Sequence, residues 1–133
     1  VGVTEATRKI QIDRYSLKSN KGASIAFLDT ANTFEGWKAI FSAANAWMQY
    51  NSVEFGNHKL KSISLRALSK TGGTIQIRLD KPDGPIIARV KIPGGNQWQI
   101  IDSPLLKFQH GKHNLIVQLK SNGNVEIDWI NFK

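Results

Sequence analysis

The sequence predicts an all-β fold, a β-sandwich of the jelly-roll type, on three observations. Short runs alternate apolar and polar residues with a period of two, as in Gly72 to Ile101. Turn residues (Gly, Pro, Asn, Asp) interrupt these runs at roughly 8 to 12-residue intervals. No stretch carries a 3.6-residue apolar period long enough to compete as a helix.

The elements follow in order. Lys9 to Tyr15 (KIQIDRY) alternates and reads as a strand, and Ser16 to Ser24 as a polar loop. Ile25 to Leu28 is a short apolar run. Asp29 to Trp37 reads as a loop carrying Phe34 and Trp37. Ala39 to Ala46 has alanine helix propensity, but strand and loop fit better, because Trp47 to Phe55 then alternates cleanly up to Gly56. Leu60 to Leu68 is a strand with Ile63 and Leu65 on one face and Ser62, Ser64 and Arg66 on the other. In the next strand Ile75, Ile77 and Leu79 are expected inside, and Thr74, Gln76, Arg78 and Asp80 in water. Lys81-Pro82-Asp83-Gly84-Pro85 is a turn in which Gly84 is expected to take positive φ. Ile86 to Ile92 returns, and Pro93-Gly94-Gly95-Asn96 turns the chain into Trp98 to Ile101. His113 to Lys120 and Val125 to Phe132 close the series around Asn122-Gly123, a strong hairpin signal.

A chain of 133 residues suits one domain with one core. It contains no cysteine, which excludes disulfides and thiolate metal sites. No apolar run approaches the roughly 20 residues of a membrane span, and VGVTEATRKI lacks the apolar core of a signal peptide. Residues 1–133 are expected to be a single module excised from a longer, exported chain, since Phe132-Lys133 ends within a strand. The net charge of +8 raises a polyanion as partner, yet the basic residues are scattered and form no nucleic-acid arm. Neither nucleic acid nor membrane is expected as a partner.

Catalytic signatures are missing: there is no HExxH, GxSxG or P-loop spacing. His58, His110 and His113 read as solvated residues at loop or strand edges. Glu54, Asp80, Glu126 and Asp128 could pair as glycosidase carboxylates on spacing alone, but this length leaves little room for a deep cleft beside a sandwich core. The tryptophans say more. Trp47 and Trp129 lie inside alternating strands, whereas Trp37 and Trp98 stand beside loops. Such a ring either caps the core or offers its face to the C–H face of a sugar, with neighbours such as Asn96, Gln97, Asn45, Asn124 and Glu126 taking the hydroxyls.

GGTIQIRLDKPDGPIIARVKIP, GGNQWQ, GKHNLIVQL and VEIDWINF, together with AWMQYNSVEFG and KIQIDRY, resemble carbohydrate-binding module family 6 over nearly the whole chain. These are β-sandwich modules appended to bacterial polysaccharide-degrading enzymes. The resemblance implies a non-catalytic role, a polysaccharide or oligosaccharide ligand of the xylan, arabinan or β-glucan class, and a catalytic domain in the same parent chain. It also implies a secreted, periplasmic or cell-surface location. The family's sugar lies between two aromatic rings. Trp98 matches the first; Phe41 falls at the second, with Trp37 competing. Glu126 stands where the family has an asparagine, which removes a donor, because a carboxylate only accepts. Asp29 matches the acidic residue before the first aromatic, and Asn96 adds an amide beside Trp98. The resemblance further implies a structural calcium held by Gln11, Asp13 and Asp128. Two other readings stand beside this one: a structural interdomain module with no working sugar site, and polyanion binding through the net charge.

Overall fold

The computed structural model describes residues 4–133, with Gln11 described by its backbone alone. Its strands are β1 (Thr4–Glu5), β2 (Ile10–Gln11), β3 (Leu17–Lys18), β4 (Ala23–Phe27), β5 (Trp37–Phe41) and β6 (Trp47–Glu54). They continue as β7 (Ser62–Leu68), β8 (Gly73–Leu79), β9 (Ile86–Ile92), β10 (Gln99–Pro104), β11 (Lys112–Leu119) and β12 (Val125–Phe132). One sheet runs β1-β6-β11-β8-β9 with β3 against β6; the other runs β10-β7-β12-β5-β4 with β2 against β12. Together they form the β-sandwich that the alternation predicts.

Period-two patterning explains the core. Ile75, Ile77 and Leu79 of β8, Leu115, Val117 and Leu119 of β11, and Met48 of β6 face Ile63, Leu65, Ala67, Ile127 and Phe41 of the second sheet, and all are 0% exposed. The outer face of the first sheet departs from expectation. Gln76 is buried, because Arg78 lies across that face and donates to Gln76 Oε1 (3.3 Å), Gln118 Oε1 (3.1 Å) and the Gly84 carbonyl (2.8 Å). Ile116, in register between Gln49 and Arg78, is covered with it.

Two local expectations change for steric reasons. In the β8–β9 turn the positive φ falls on Asp80 (76°) and not on Gly84. Gly84 is required for close approach instead, since a Cβ there would lie 1.9 Å from the Leu79 carbonyl oxygen. The strand expected over Lys9 to Tyr15 contracts to β2, which pairs only with Trp129 and Ile130. Past it Ile12 is buried, and its carbonyl accepts the Tyr50 hydroxyl at 2.7 Å.

Burial of Tyr50, and secondarily the nearby Asp13 carboxylate, push the phenol's pKa well above its ordinary value near 10.0. A raised folded pKa means the protonated phenol stabilises the fold below the unfolded value, and that contribution is lost as pH rises through the folded value. Tyr50→Phe is therefore expected to cost about 1 kcal/mol at neutral pH and to flatten the fall in stability above about pH 10. Urea unfolding of both proteins across that range checks it.

Candidate functional site

Three loops meet at one end of the sandwich: 69–72 between β7 and β8, 93–98 between β9 and β10, and 120–124 between β11 and β12. Backbone and hydroxyl bonds tie them together. Gly95 N donates to Ser69 O (2.9 Å), Ser69 Oγ to Asn124 O (2.6 Å), and Thr74 N to Ser121 Oγ (3.0 Å). Gly72 sits at φ 79°, and a Cβ there would meet the Ile92 carbonyl oxygen at 3.1 Å and Gly94 N at 3.2 Å. Glycine at this point lets the first two loops touch.

The register of the second sheet places the side chains. Gln99, Ala67, Ile127 and Ala39 align across β10, β7, β12 and β5. Ala67, Ile127 and Ala39 point into the core, so the next residues toward the loops, Leu68, Glu126 and Ile40, point outward. Trp98 enters β10 at the same level. Beside this row lies a hollow of about 330 Å³, lined by Leu68, Ser69, Lys70, Thr71, Asn124 and Glu126. It combines an apolar floor with hydroxyl and ammonium donors and with amide and carboxylate acceptors.

Trp98 is half-buried, and the Arg66 guanidinium carbon stands 4.9 Å from its ring centroid. Arg66 in turn donates from Nη1 to Asp128 Oδ2 at 2.8 Å. One face of the indole is thus held by a cation that is itself anchored, and the ring's pose is fixed from behind. Glu126 accepts from Lys38 Nζ at 2.5 Å. Its second oxygen remains an acceptor for the hollow.

The sequence-predicted residues divide. Trp98, Asn96 and Glu126 lie at this loop end, with Asn96 exposed in the loop before Trp98. Phe41 does not join them. It is 0% exposed, and its β12 partner Val125 is equally buried, because Phe41 shares the inward parity of Ala39; the outward residue of that pair is Ile40. The second ring expected at Phe41 is therefore absent from the hollow, and an aliphatic side chain stands in the corresponding row. Trp37 and Asp29 belong to the β4–β5 hairpin, where Trp37 stacks on Phe27 and Asp29 Oδ1 accepts from Ala31 N at 2.9 Å.

The Gln11 side chain lies outside the described residues, and Asp128 is engaged by Arg66, whose positive charge opposes a cation beside it. Among the described residues no group of three or more His, Cys, Asp or Glu is placed to hold a metal ion. Sequence reasoning missed Leu68, Lys70, Thr71, Arg66 and Lys38. Arg66 was visible as a wet-face residue of its strand, but only the register with β12 brings Asp128 to it.

Residues 15–133 match the profile of the carbohydrate binding module (family 6). The chain is similar, at 27% identity over 81 residues, to an arabinoxylan arabinofuranohydrolase of Paenibacillus polymyxa. That match covers 59% of this chain and spans 13% of the enzyme's length. In structure it is similar to a family 6 module of Clostridium stercorarium solved with cellobiose (TM-score 0.87, 19% identity, 99% of this chain and 97% of that one). It is likewise similar to a β-1,3-glucan binding family 6 module of Bacillus halodurans (TM-score 0.85, 24% identity, 99% of both chains). At these identities the structural likenesses establish the fold, and the profile match over most of the chain establishes the family. The chain belongs to carbohydrate-binding module family 6, and it is a sugar-binding module with no catalytic role of its own.

Proposed function

We propose that this module keeps a glycoside hydrolase of the same parent chain, exported from its cell, against a plant-type polysaccharide of the xylan, arabinan or β-glucan class. A sugar ring stacks on the face of Trp98 that Arg66 leaves open, and Glu126, Asn124, Thr71 and Asn96 take its hydroxyls. The observation that carries this reading is a braced, half-buried indole at the same loop end as a hollow of about 330 Å³ whose apolar floor is edged by hydroxyl, amide, ammonium and carboxylate groups. Its flat apolar face and adjoining hydrogen-bonding groups match the two surfaces of a pyranose. Similarity to an arabinoxylan hydrolase supports the xylan class, and likeness to modules solved with cellobiose or described as binding β-1,3-glucan supports the β-glucan class.

The row of Trp98 runs through Leu68 and Glu126 to Ile40 and holds no second ring, so stacking is one-sided. Binding is expected at about −4 to −6 kcal/mol, or about mM to tens of μM. Such weakness suits a tether, whose gain is effective concentration at the polymer surface. A panel of neutral and acidic polysaccharides in affinity electrophoresis tests the reading. Retardation by a neutral xylan, arabinan or β-glucan that persists at high salt supports it. Retardation only by polyanions, disappearing as salt rises, sinks it.

A further inference from the structure

We infer that the β4–β5 hairpin carries a second, independent glycan-contact surface built on Trp37 and Phe34, which engages a neighbouring stretch of the same polymer. This inference rests on the carbohydrate-binding reading above. Among the described residues, two of the five large hydrophobic side chains that stand exposed belong to this one hairpin: Phe34 at 99% and Trp37 at 37%. Phe27 stacks on one side of Trp37, with centroids 4.2 Å apart and planes 24° from parallel, so the indole is braced on one face while about a third of its surface meets water. That is the same arrangement as Trp98, with a phenyl ring in place of the guanidinium.

The loop that presents Phe34 is tightly bonded. Leu28 N donates to Gly36 O (2.8 Å), Asn32 N to Asp29 O (3.1 Å) and Gly36 N to Thr33 O (3.2 Å). The Asp29 and Asn32 side chains accept from Ala31 N (2.9 Å) and Phe34 N (3.2 Å). The backbone that presents the ring is ordered, so binding costs the rotamer freedom of the Phe34 side chain but little freedom of the loop. The surrounding residues are short and polar: Asp29, Thr30, Asn32, Thr33 and Glu35 are all exposed. A protein interface of ordinary size needs a broader apolar core, whereas isolated rings among hydroxyl and carboxyl groups match the alternating C–H and O–H surfaces of a sugar chain.

The hairpin is separate from the hollow. Three interstrand steps (β10 to β7 to β12 to β5) and three residues along the strands divide Trp98 from Trp37. At ordinary strand spacings this puts the two backbones about 17 Å apart, and Trp37 has the parity of Ala39 while Trp98 lies in the outward row of Ile40, so a chain that touches both passes over the edge of the sheet. A short oligosaccharide on Trp98 does not need the hairpin; a polymer chain is able to use both, and two weak contacts on one chain reinforce each other.

The test uses polymer and trisaccharide in pairs, arabinoxylan with xylotriose and β-1,3-glucan with its trisaccharide. Phe34→Ala and Trp37→Ala are compared with the unaltered module by affinity electrophoresis for the polymer and by calorimetry for the trisaccharide. Phe34 is in water, so its removal leaves the fold intact even if Trp37→Ala loosens Phe27. Each variant is expected to weaken polymer binding by about threefold to tenfold while trisaccharide binding stays unchanged. Unchanged polymer affinity in both variants overturns the inference and leaves a protein contact as the hairpin's use. Equal losses on polymer and trisaccharide also overturn it, because they make the hairpin part of the Trp98 site. Trp98→Ala run beside them keeps the two readings apart: if it changes nothing while the hairpin variants weaken polymer binding, the Trp98 reading fails and the hairpin stands.

Discussion

Trp98→Ala is expected to weaken retardation of the module by soluble polysaccharide more than tenfold and to leave the protein folded. The indole is the flat apolar surface at the loop end, and no aromatic stands in its row, which runs through Leu68 and Glu126 to Ile40. At the loop end no ring remains to stack once it is removed. A loss of about 1.5 kcal/mol or more, better than tenfold in affinity, is the scale for a buried aromatic contact. From a starting affinity of about mM to tens of μM, that leaves a Kd of several hundred μM or weaker. The fold tolerates the change because Trp98 precedes β10, an edge strand, and is not part of the buried core. Circular dichroism and thermal melting of the variant confirm that the lost binding is not lost structure.

Phe41→Ala is expected to do the opposite. The side chain is among the largest of the fully buried ones, packed between sheets with Ala39, Val125 and Ile127 in the same cluster. Removing it leaves a cavity that close neighbours fill only in part, at a cost of about 3–5 kcal/mol. That is a large share of the 5–15 kcal/mol or so that holds a domain of this kind together. Chemical unfolding is expected to show a midpoint shifted sharply down with an unchanged slope. The fraction that stays folded is expected to bind sugar as the unaltered module does, because Phe41 points away from the hollow. A sugar contact at Phe41 would show the reverse, with stability preserved and affinity lost.

This contrast marks how far the sequence carries. Alternation fixes which residues face inward within a strand, so the core of β7, β8, β9, β11 and β12 is readable from residue order alone. Trp98 was legible for a related reason: a tryptophan just after Gly94-Gly95 stands at a strand entrance. Phe41 was misplaced by one residue, and a one-residue slip in a strand exchanges inside for outside. Counting back from Trp47 across the turn at residues 42–46 does not determine that parity; the pairing of Phe41 with Val125 does. Contacts between distant strands were equally hidden. Arg66 meets Asp128 62 positions away and Lys38 meets Glu126 88 positions away, so the cation behind Trp98 and the partner of Glu126 follow from sheet order, which no local pattern encodes. The calcium set meets the same limit. Asp128 has a carboxylate of the right kind, but it is engaged by an arginine brought in from β7. The tight turn at Asp80 shows the smaller version of the problem. Pro82 and Gly84 announce a turn, while the distribution of φ within it depends on Asn114, whose carbonyl accepts from Asp80 N at 2.7 Å.

The most direct measurement is a titration of the module with xylotriose and the β-1,3-linked trisaccharide, followed by the indole N–H resonances of its four tryptophans. Trp98 is expected to shift in fast exchange with at least one of these sugars, while Trp47 and Trp129 stay in place. Shifts confined to Trp47 on the outer face of the first sheet, with Trp98 unmoved at saturation, would contradict the assignment of the sugar to the loop end.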